Sequence, residues 1–298
     1  MRRGDRGIAM LIRRSVAALV VSLGLIHDAS LHALTDAPDE VALTVEAGGL
    51  VSLEAYINGA GPFRLLLDTG SSASSVSRKL MRTLHLALVG TRDLITPSGT
   101  RTRDGVRLDV MSVGAASRRS LLANVIDDRD LAALGPDVDG ILGQDFLAEQ
   151  HYTVDYRRKR LSWRADTGGD EPAAATLDLR LEQGRWLVGL PQTDGRVLWF
   201  VPDSGAAALV LYDRGSATAL KTRIVACCAG VTTVNGSRSA RLVIVPEFKV
   251  GSHVIRNREA LILNRAHAHS PAGDGLLPLS MFASVSFHPE QQVLKVRF

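Results

Sequence analysis

One feature limits what this chain can fold into more than any other: it states the same pattern twice. A turn at Asn58-Gly59-Ala60-Gly61-Pro62 leads into the apolar run Phe63 to Leu67, which ends on Asp68-Thr69-Gly70-Ser71. A second apolar run, Val197 to Val201, ends on Pro202-Asp203-Ser204-Gly205-Ala206, and Asp203 lies 135 residues after Asp68. Further on, Asp139-Gly140-Ile141-Leu142-Gly143 has its counterpart in Asp274-Gly275-Leu276-Leu277-Pro278, again at an offset of 135, which holds to the C-terminus, where Phe298 matches Trp163. Between these anchors Thr96-Pro97-Ser98-Gly99 matches Thr233-Val234-Asn235-Gly236 at an offset of 137. Shared order and spacing of unusual residues mark an internal duplication, which outranks other fold arguments. A third Asp-Thr-Gly, at Asp166, has no apolar run before it and is read as linker, because a bare three-residue match is cheap.

Each copy reads as many short β-strands with few helices. Val41 to Val45, Leu50 to Ile57 and Phe63 to Leu67 are apolar-rich runs between glycine turns, which is a strand signal. Ser77 is placed to cap a helix over 78–86, and Gln144 to Glu149 fits a second short helix. Asp93 to Val110 and Thr232 to Val245 read as hairpins with tips at Pro97-Ser98-Gly99 and Asn235-Gly236. The composition of 166–175, rich in Gly, Asp, Ala and Pro, marks a linker. The expected fold is all-β, two duplicated barrel-like lobes over 38–165 and 176–298, with a cleft between them.

Residues 1–33 carry five arginines followed by the twelve-residue uncharged run Ser15 to Ile26. That pattern predicts an export signal ending near Leu31-His32-Ala33, or else an uncleaved N-terminal anchor that would keep the chain near a membrane; the run is short for a span of about 20 residues. The periplasm of a bacterium is the expected location. Without this segment, whose net charge is +3, the formal +4 of the chain falls to +1. No basic stripe interleaves with aromatics, so nucleic acid is not an expected partner. Cys227 and Cys228 are adjacent, so they do not staple the fold, and either two thiols or a vicinal bond fits the sequence.

Two equivalent carboxylates on a duplicated scaffold suggest one shared site, because a pseudo-two-fold axis would bring Asp68 and Asp203 face to face. Carboxylates roughly 3 Å apart share a proton, since both cannot ionise comfortably. One then serves as base toward a water molecule and the other as acid toward a carbonyl oxygen. Peptide hydrolysis fits that pair, with no metal or organic cofactor. His267 and His269 could share a strand face, but with no third ligand in view they read as a polar loop. No Gly-x-Ser-x-Gly elbow is present, so a serine hydrolase is not favoured.

Asn58-Gly59-Ala60-Gly61-Pro62-Phe63 running into Leu67-Asp68-Thr69-Gly70-Ser71-Ser72, with Ile141-Leu142-Gly143 behind it, resembles the bacterial retropepsin-like aspartyl proteases. The resemblance covers most of 38–298 and is stronger in the first copy. It implies that Asp68 and Asp203 are the catalytic dyad and that Thr69 and Ser204 brace the two loops. It also implies that Gly70 and Gly205 let backbone approach the carboxylates, with Ser71 and Ala206 as small residues beside them. The hairpins at Pro97, Ser98 and Gly99 and at Asn235 and Gly236 would be flaps over an extended peptide or unfolded protein substrate. Both Asp loops lie in one chain, so a monomer is expected. The second copy departs from the pattern at Pro202, which removes a backbone donor, and at Pro278, which stands where the first copy has Gly143. On these grounds a catalytically silent peptide-binding protein of the same fold is the alternative reading.

Overall fold

The structure is a computed structural model that describes residues 37–135, 137–164, 173–192, 195–212, 215–263 and 272–298. The export segment, linker residues 166–172, His267, His269 and the side chains of Cys227 and Cys228 lie outside the described residues. What is described is mostly β, with four short α-helices, and its strands group into sheets of 13 and 8 strands. No helix among the described residues is long and apolar enough to cross a membrane.

The duplication is visible strand by strand. In the first lobe Val51–Ile57 and Ala60–Leu67 form an antiparallel hairpin, with Ser52 opposite Leu66. Gly140–Leu142 then pairs with Ala60–Leu67 in parallel, Leu65 opposite Gly140 and Leu67 opposite Leu142. Its other edge carries Ser75–Ser77, antiparallel. The second lobe repeats this with Val197–Asp203 beside Arg185–Pro191 and Gly275–Pro278, Phe200 opposite Gly275 and Asp203 opposite Pro278. Leu209–Tyr212 takes the outer place. The strands leading to the Asp loops end in runs buried on both faces, Leu65 to Leu67 and Phe200 to Asp203, which explains why they read as apolar runs rather than alternating patterns. Leu65 and Leu67 are fully buried, as are Val201 and Leu277; each such side chain contributes about 1.5–3 kcal/mol of hydrophobic burial.

Asp139 and Asp274 act as structural clamps. The Asp139 carboxylate accepts from Arg64 N–H at 3.1 Å, and that of Asp274 from Trp199 N–H at 2.8 Å. Their own N–H groups return bonds to the Arg64 and Trp199 carbonyls at 2.8 and 2.6 Å. These reciprocal pairs start the parallel ladders, so the repeated Asp-Gly serves fold rather than chemistry.

Between the lobes, Tyr152–Asp155 pairs antiparallel with Ser284–His288. Tyr152 lies opposite Phe287, its own duplicate, and their rings stack at 4.6 Å. The pseudo-two-fold axis therefore passes between those two rings. Thr153 and Ser286 join hydroxyls beside them at 2.7 Å.

Local departures from the sequence reading have physical causes. Ala175–Glu182 is a strand that the linker-like composition before it obscured, and Ala175, read as the last linker residue, already pairs with Val296. Val41 to Val45 is interrupted at Leu43, whose N–H turns aside to Lys159 O at 2.9 Å, leaving strands Glu40–Ala42 and Thr44–Val45. The helix after Ser77 runs only over Arg78–Thr83; Ser77 caps it by accepting from Leu80 N–H. A further short helix, Asp128–Ala132, has no strong sequence signal.

Candidate active site

The strands ending at Leu67 and Asp203 deliver the Asp68 and Asp203 loops to the axis from opposite sides. The two loops hold each other by four buried hydrogen bonds. Thr69 Oγ1 donates to Pro202 O at 2.7 Å and accepts from Ser204 N–H at 3.0 Å. Ser204 Oγ donates to Leu67 O at 2.7 Å and accepts from Thr69 N–H at 3.0 Å. Each hydroxyl is satisfied as donor and acceptor, and the two sets are related by the offset of 135 that the sequence carries. Thr69 is fully buried and Ser204 nearly so.

The glycines bring backbone against the carboxyls. Gly70 N–H donates to Asp68 Oδ1 at 3.0 Å, and Gly205 N–H to Asp203 Oδ1 at 2.7 Å. A Cβ on Gly70 would lie 2.4 Å from Asp203 Cγ, and one on Gly205 would lie 2.8 Å from Asp68 Cγ. No other residue type fits between the loops without displacing a carboxyl. Ser71 and Ala206 both line the cleft, but the Ser71 hydroxyl turns to Ala73 O at 2.8 Å rather than to the dyad.

Burial pushes both carboxyls above the ordinary range. For Asp68 that rise is opposed by the Gly70 N–H, by the positive charge of Arg185 and by a hydrogen bond from Asp203. For Asp203 the charge on Asp68 adds to burial, and it is held well above the usual carboxylate range. Burial and the repulsion between the two carboxyls thus oppose ionising both at once, which suits a pair that holds one proton between its members.

Over this floor is a cavity of about 470 Å³, lined by apolar groups from both lobes, among them Leu50, Leu66, Ile141, Val210, Val231 and Leu276. Among the described residues lining it, only Asp68 and Asp203 are ionisable. The hairpins form its roof. Thr96 pairs with Gly99 around Pro97-Ser98, and Thr233 with Gly236 around Val234-Asn235. The axis passes between the hairpins too: Thr96 Oγ1 and its duplicate Thr233 Oγ1 are 3.1 Å apart. Asn235 Nδ2 donates to Leu94 O at 2.8 Å and to Gly99 O at 3.0 Å. The Arg103 guanidinium, paired with Asp130 at 3.0 Å, donates to Val234 O at 2.7 Å. Asn235→Ala removes both amide bonds, so the tips are expected to open more often. Hydrogen exchange at 94–99 and 233–236 should accelerate about tenfold, with global stability little changed; unchanged exchange would show that this amide does not hold the roof.

Motif reading overlooked three side chains here. Arg103 and Asn235 form the latch, yet Arg103 carries no motif. Gln144 Nε2 supports Thr69 O at 2.7 Å, and its duplicate is Leu279. Arg185 Nε donates to Gly70 O at 2.7 Å from the opposite lobe, and its duplicate is Leu50. All three lie at positions where the two copies differ, so a search for shared residues passes over them.

The two prolines fit without loss. In the first lobe the donor to the neighbouring parallel strand is Asp68 N–H, to Leu142 O at 3.0 Å, so a proline one residue earlier in the second lobe removes nothing from that ladder. What the site uses is the carbonyl of Pro202. Pro278 replaces Gly143, whose N–H donates to Ser74 Oγ at 3.1 Å. The duplicate of Ser74 is Leu209, so donor and acceptor are both gone, a replacement that can be nearly neutral.

The sequence model of the aspartyl protease family matches the chain twice, over residues 53–146 and 192–280. Each match holds one Asp loop and one flap tip, and together they span more than half of the chain. No curated protein matches it.

Proposed function

The chain belongs to the aspartyl protease family, and from that premise we propose that it is an aspartic endopeptidase whose dyad is Asp68 and Asp203. The observation that carries this reading is the reciprocal Thr69–Ser204 lock, which holds the Asp68 and Asp203 loops together beneath a roofed cavity that both carboxyls line.

The chemistry follows from that arrangement. A water held between the carboxyls loses a proton to the Asp68 carboxylate as its oxygen attacks the scissile carbonyl carbon. Asp203 gives its proton to the carbonyl oxygen, so the tetrahedral intermediate is a neutral diol and the single negative charge of the dyad has moved from Asp68 to Asp203. The proton on Asp68 then passes to the amide nitrogen and Asp203 recovers one from the diol. The C–N bond breaks, leaving a carboxyl product, an amine product and the starting dyad. The flaps exclude bulk water and hold the peptide extended. The apolar lining favours peptides with aliphatic or aromatic side chains flanking the cut.

The contacts made by Pro202 O, and the matched loss at Pro278 and Leu209, favour catalysis over silent peptide binding. We also propose export to the periplasm or anchoring at its membrane, on the support of the basic and apolar segment at 1–33; fractionation of cells for the full chain tests this. For activity, the purified chain is incubated with a denatured protein mixture from pH 3 to 8. Cuts between apolar residues are expected. A folded chain that cuts nothing at any pH would overturn the proposal.

A further inference from the structure

The symmetry of the site breaks at one buried cation. Position 50 in the first lobe is Leu50, which lines the cleft; its duplicate is Arg185, only 6% exposed. Arg185 Nε donates to Gly70 O at 2.7 Å, and a terminal nitrogen donates to Ile95 O at 3.3 Å. Gly70 is the residue whose N–H meets Asp68, and Ile95 lies beside the tip of the first flap, opposite Thr100. A single side chain from the second lobe thus ties the Asp68 loop to the flap strand. Leu50, at the equivalent place in the first lobe, has no donor to offer Gly205 O.

We propose that Arg185 is a positioning residue that makes the two carboxyls inequivalent, keeping the negative charge on Asp68 and the shared proton on Asp203. Two identical carboxyls on a true two-fold axis would share a proton equally. A fixed guanidinium on the Asp68 side of the axis removes that equivalence, and burial strengthens its effect. Arginine suits the task because it stays charged where it is buried, and its planar fork can hold two carbonyls at once. The other titratable groups facing the dyad and Arg185 are the phenols of Tyr156, beyond the strand Tyr152–Asp155, and Tyr212 on Leu209–Tyr212. Tyr156 is pushed far up by burial and stays neutral, so Arg185 is the cation acting on both carboxyls. Its charge favours the ionised form of each, so its removal raises the pH at which the dyad ionises. The roles this gives, Asp68 as base and Asp203 as acid, rest on the protease reading above.

The test reads the carboxyls directly. The full chain is labelled with ¹³C at its Asp carboxyls and titrated by NMR, with Asp68→Asn and Asp203→Asn giving the assignments. Arg185→Met is expected to raise the Asp68 titration by about one pH unit, as loss of a close opposite charge does. Arg185→Gln keeps a donor for Gly70 O but no charge, and should raise it equally. Arg185→Lys keeps the charge but cannot hold both carbonyls. It should leave the titration in place while lowering kcat more than it raises KM. An unchanged Asp68 titration in either uncharged variant that folds overturns the proposal. A titration that moves in a chain that cuts no peptide would sink the protease reading and leave this inference standing; cleavage with an unmoved titration would do the reverse.

Discussion

Asp68→Asn and Asp203→Asn are each expected to lower peptide cleavage by about a thousandfold, the scale of losing a positioned acid or base. Asn at 68 cannot take the proton of the attacking water. Asn at 203 keeps a neutral donor but has no carboxyl proton to give and recover. The two losses should not add, because the carboxyls act as one unit. The fold should survive both changes, since an amide matches a protonated carboxyl in size and can accept the same N–H from Gly70 or Gly205.

Stability should report on the same proton. Asp203 is held well above the ordinary range in the fold, whereas in the unfolded chain it ionises near pH 4. Above that pH the folded state binds more protons than the unfolded state, so stability falls as pH rises through the raised value. The contribution is fully present below pH ~4 and is lost on the way up. Asp203→Asn removes this dependence. In urea unfolding, the midpoint of the variant should therefore gain on that of the unmutated chain as pH rises. Midpoints that fall in parallel as pH rises would mean that Asp203 is not the proton holder.

The readable part of this molecule is the part stated twice. Asp68 and Asp203, Gly70 and Gly205, and Gly140 and Gly275 stand out in sequence because strand, turn and close approach impose the same demand in both lobes. The all-β fold follows from them, since an apolar run ending on Asp and paired on both edges leaves little choice of neighbour. What could not be read is what the copies do differently. Leu50 and Arg185 occupy one position and serve a cleft wall and a buried cation. Arg103 meets Val234 O across 131 residues, and no local period records a contact of that range. Ala175–Glu182 does alternate, with Leu177 and Leu179 buried and Asp178 and Arg180 exposed, yet the composition before it masked the pattern. Pro202 was misleading for a more general reason. Its missing N–H is evident from the residue type, whereas the carbonyl that Thr69 uses exists at every residue and leaves no mark in sequence.

Thr69→Val should damage the site heavily, though less than loss of a carboxyl and although valine keeps the shape. It removes one donor and one acceptor, leaving Pro202 O and Ser204 N–H buried and unpaired. At about 1–3 kcal/mol for each stranded group, the expected loss of stability is roughly 2–6 kcal/mol. Ser204→Ala strands Leu67 O and Thr69 N–H and should cost a similar amount. The two hydroxyls do not bond each other, so a rigid site would give additive losses in the double variant. The loops are freer to part once either hydroxyl is gone, because these four bonds are what joins one loop directly to the other. The double variant is therefore expected to lose less than the sum, and the shortfall in a double-mutant cycle measures how far the loops act together. Cleavage should drop about a hundredfold in each single variant, since a shift of about 1 Å between reacting groups has that effect. Thr69→Ser, which keeps the hydroxyl and removes only a methyl, should restore most of both. A Thr69→Val chain with unmutated stability and rate would show that the interlobe sheet at Tyr152 and Phe287, and not the hydroxyl exchange, sets the separation of the carboxyls.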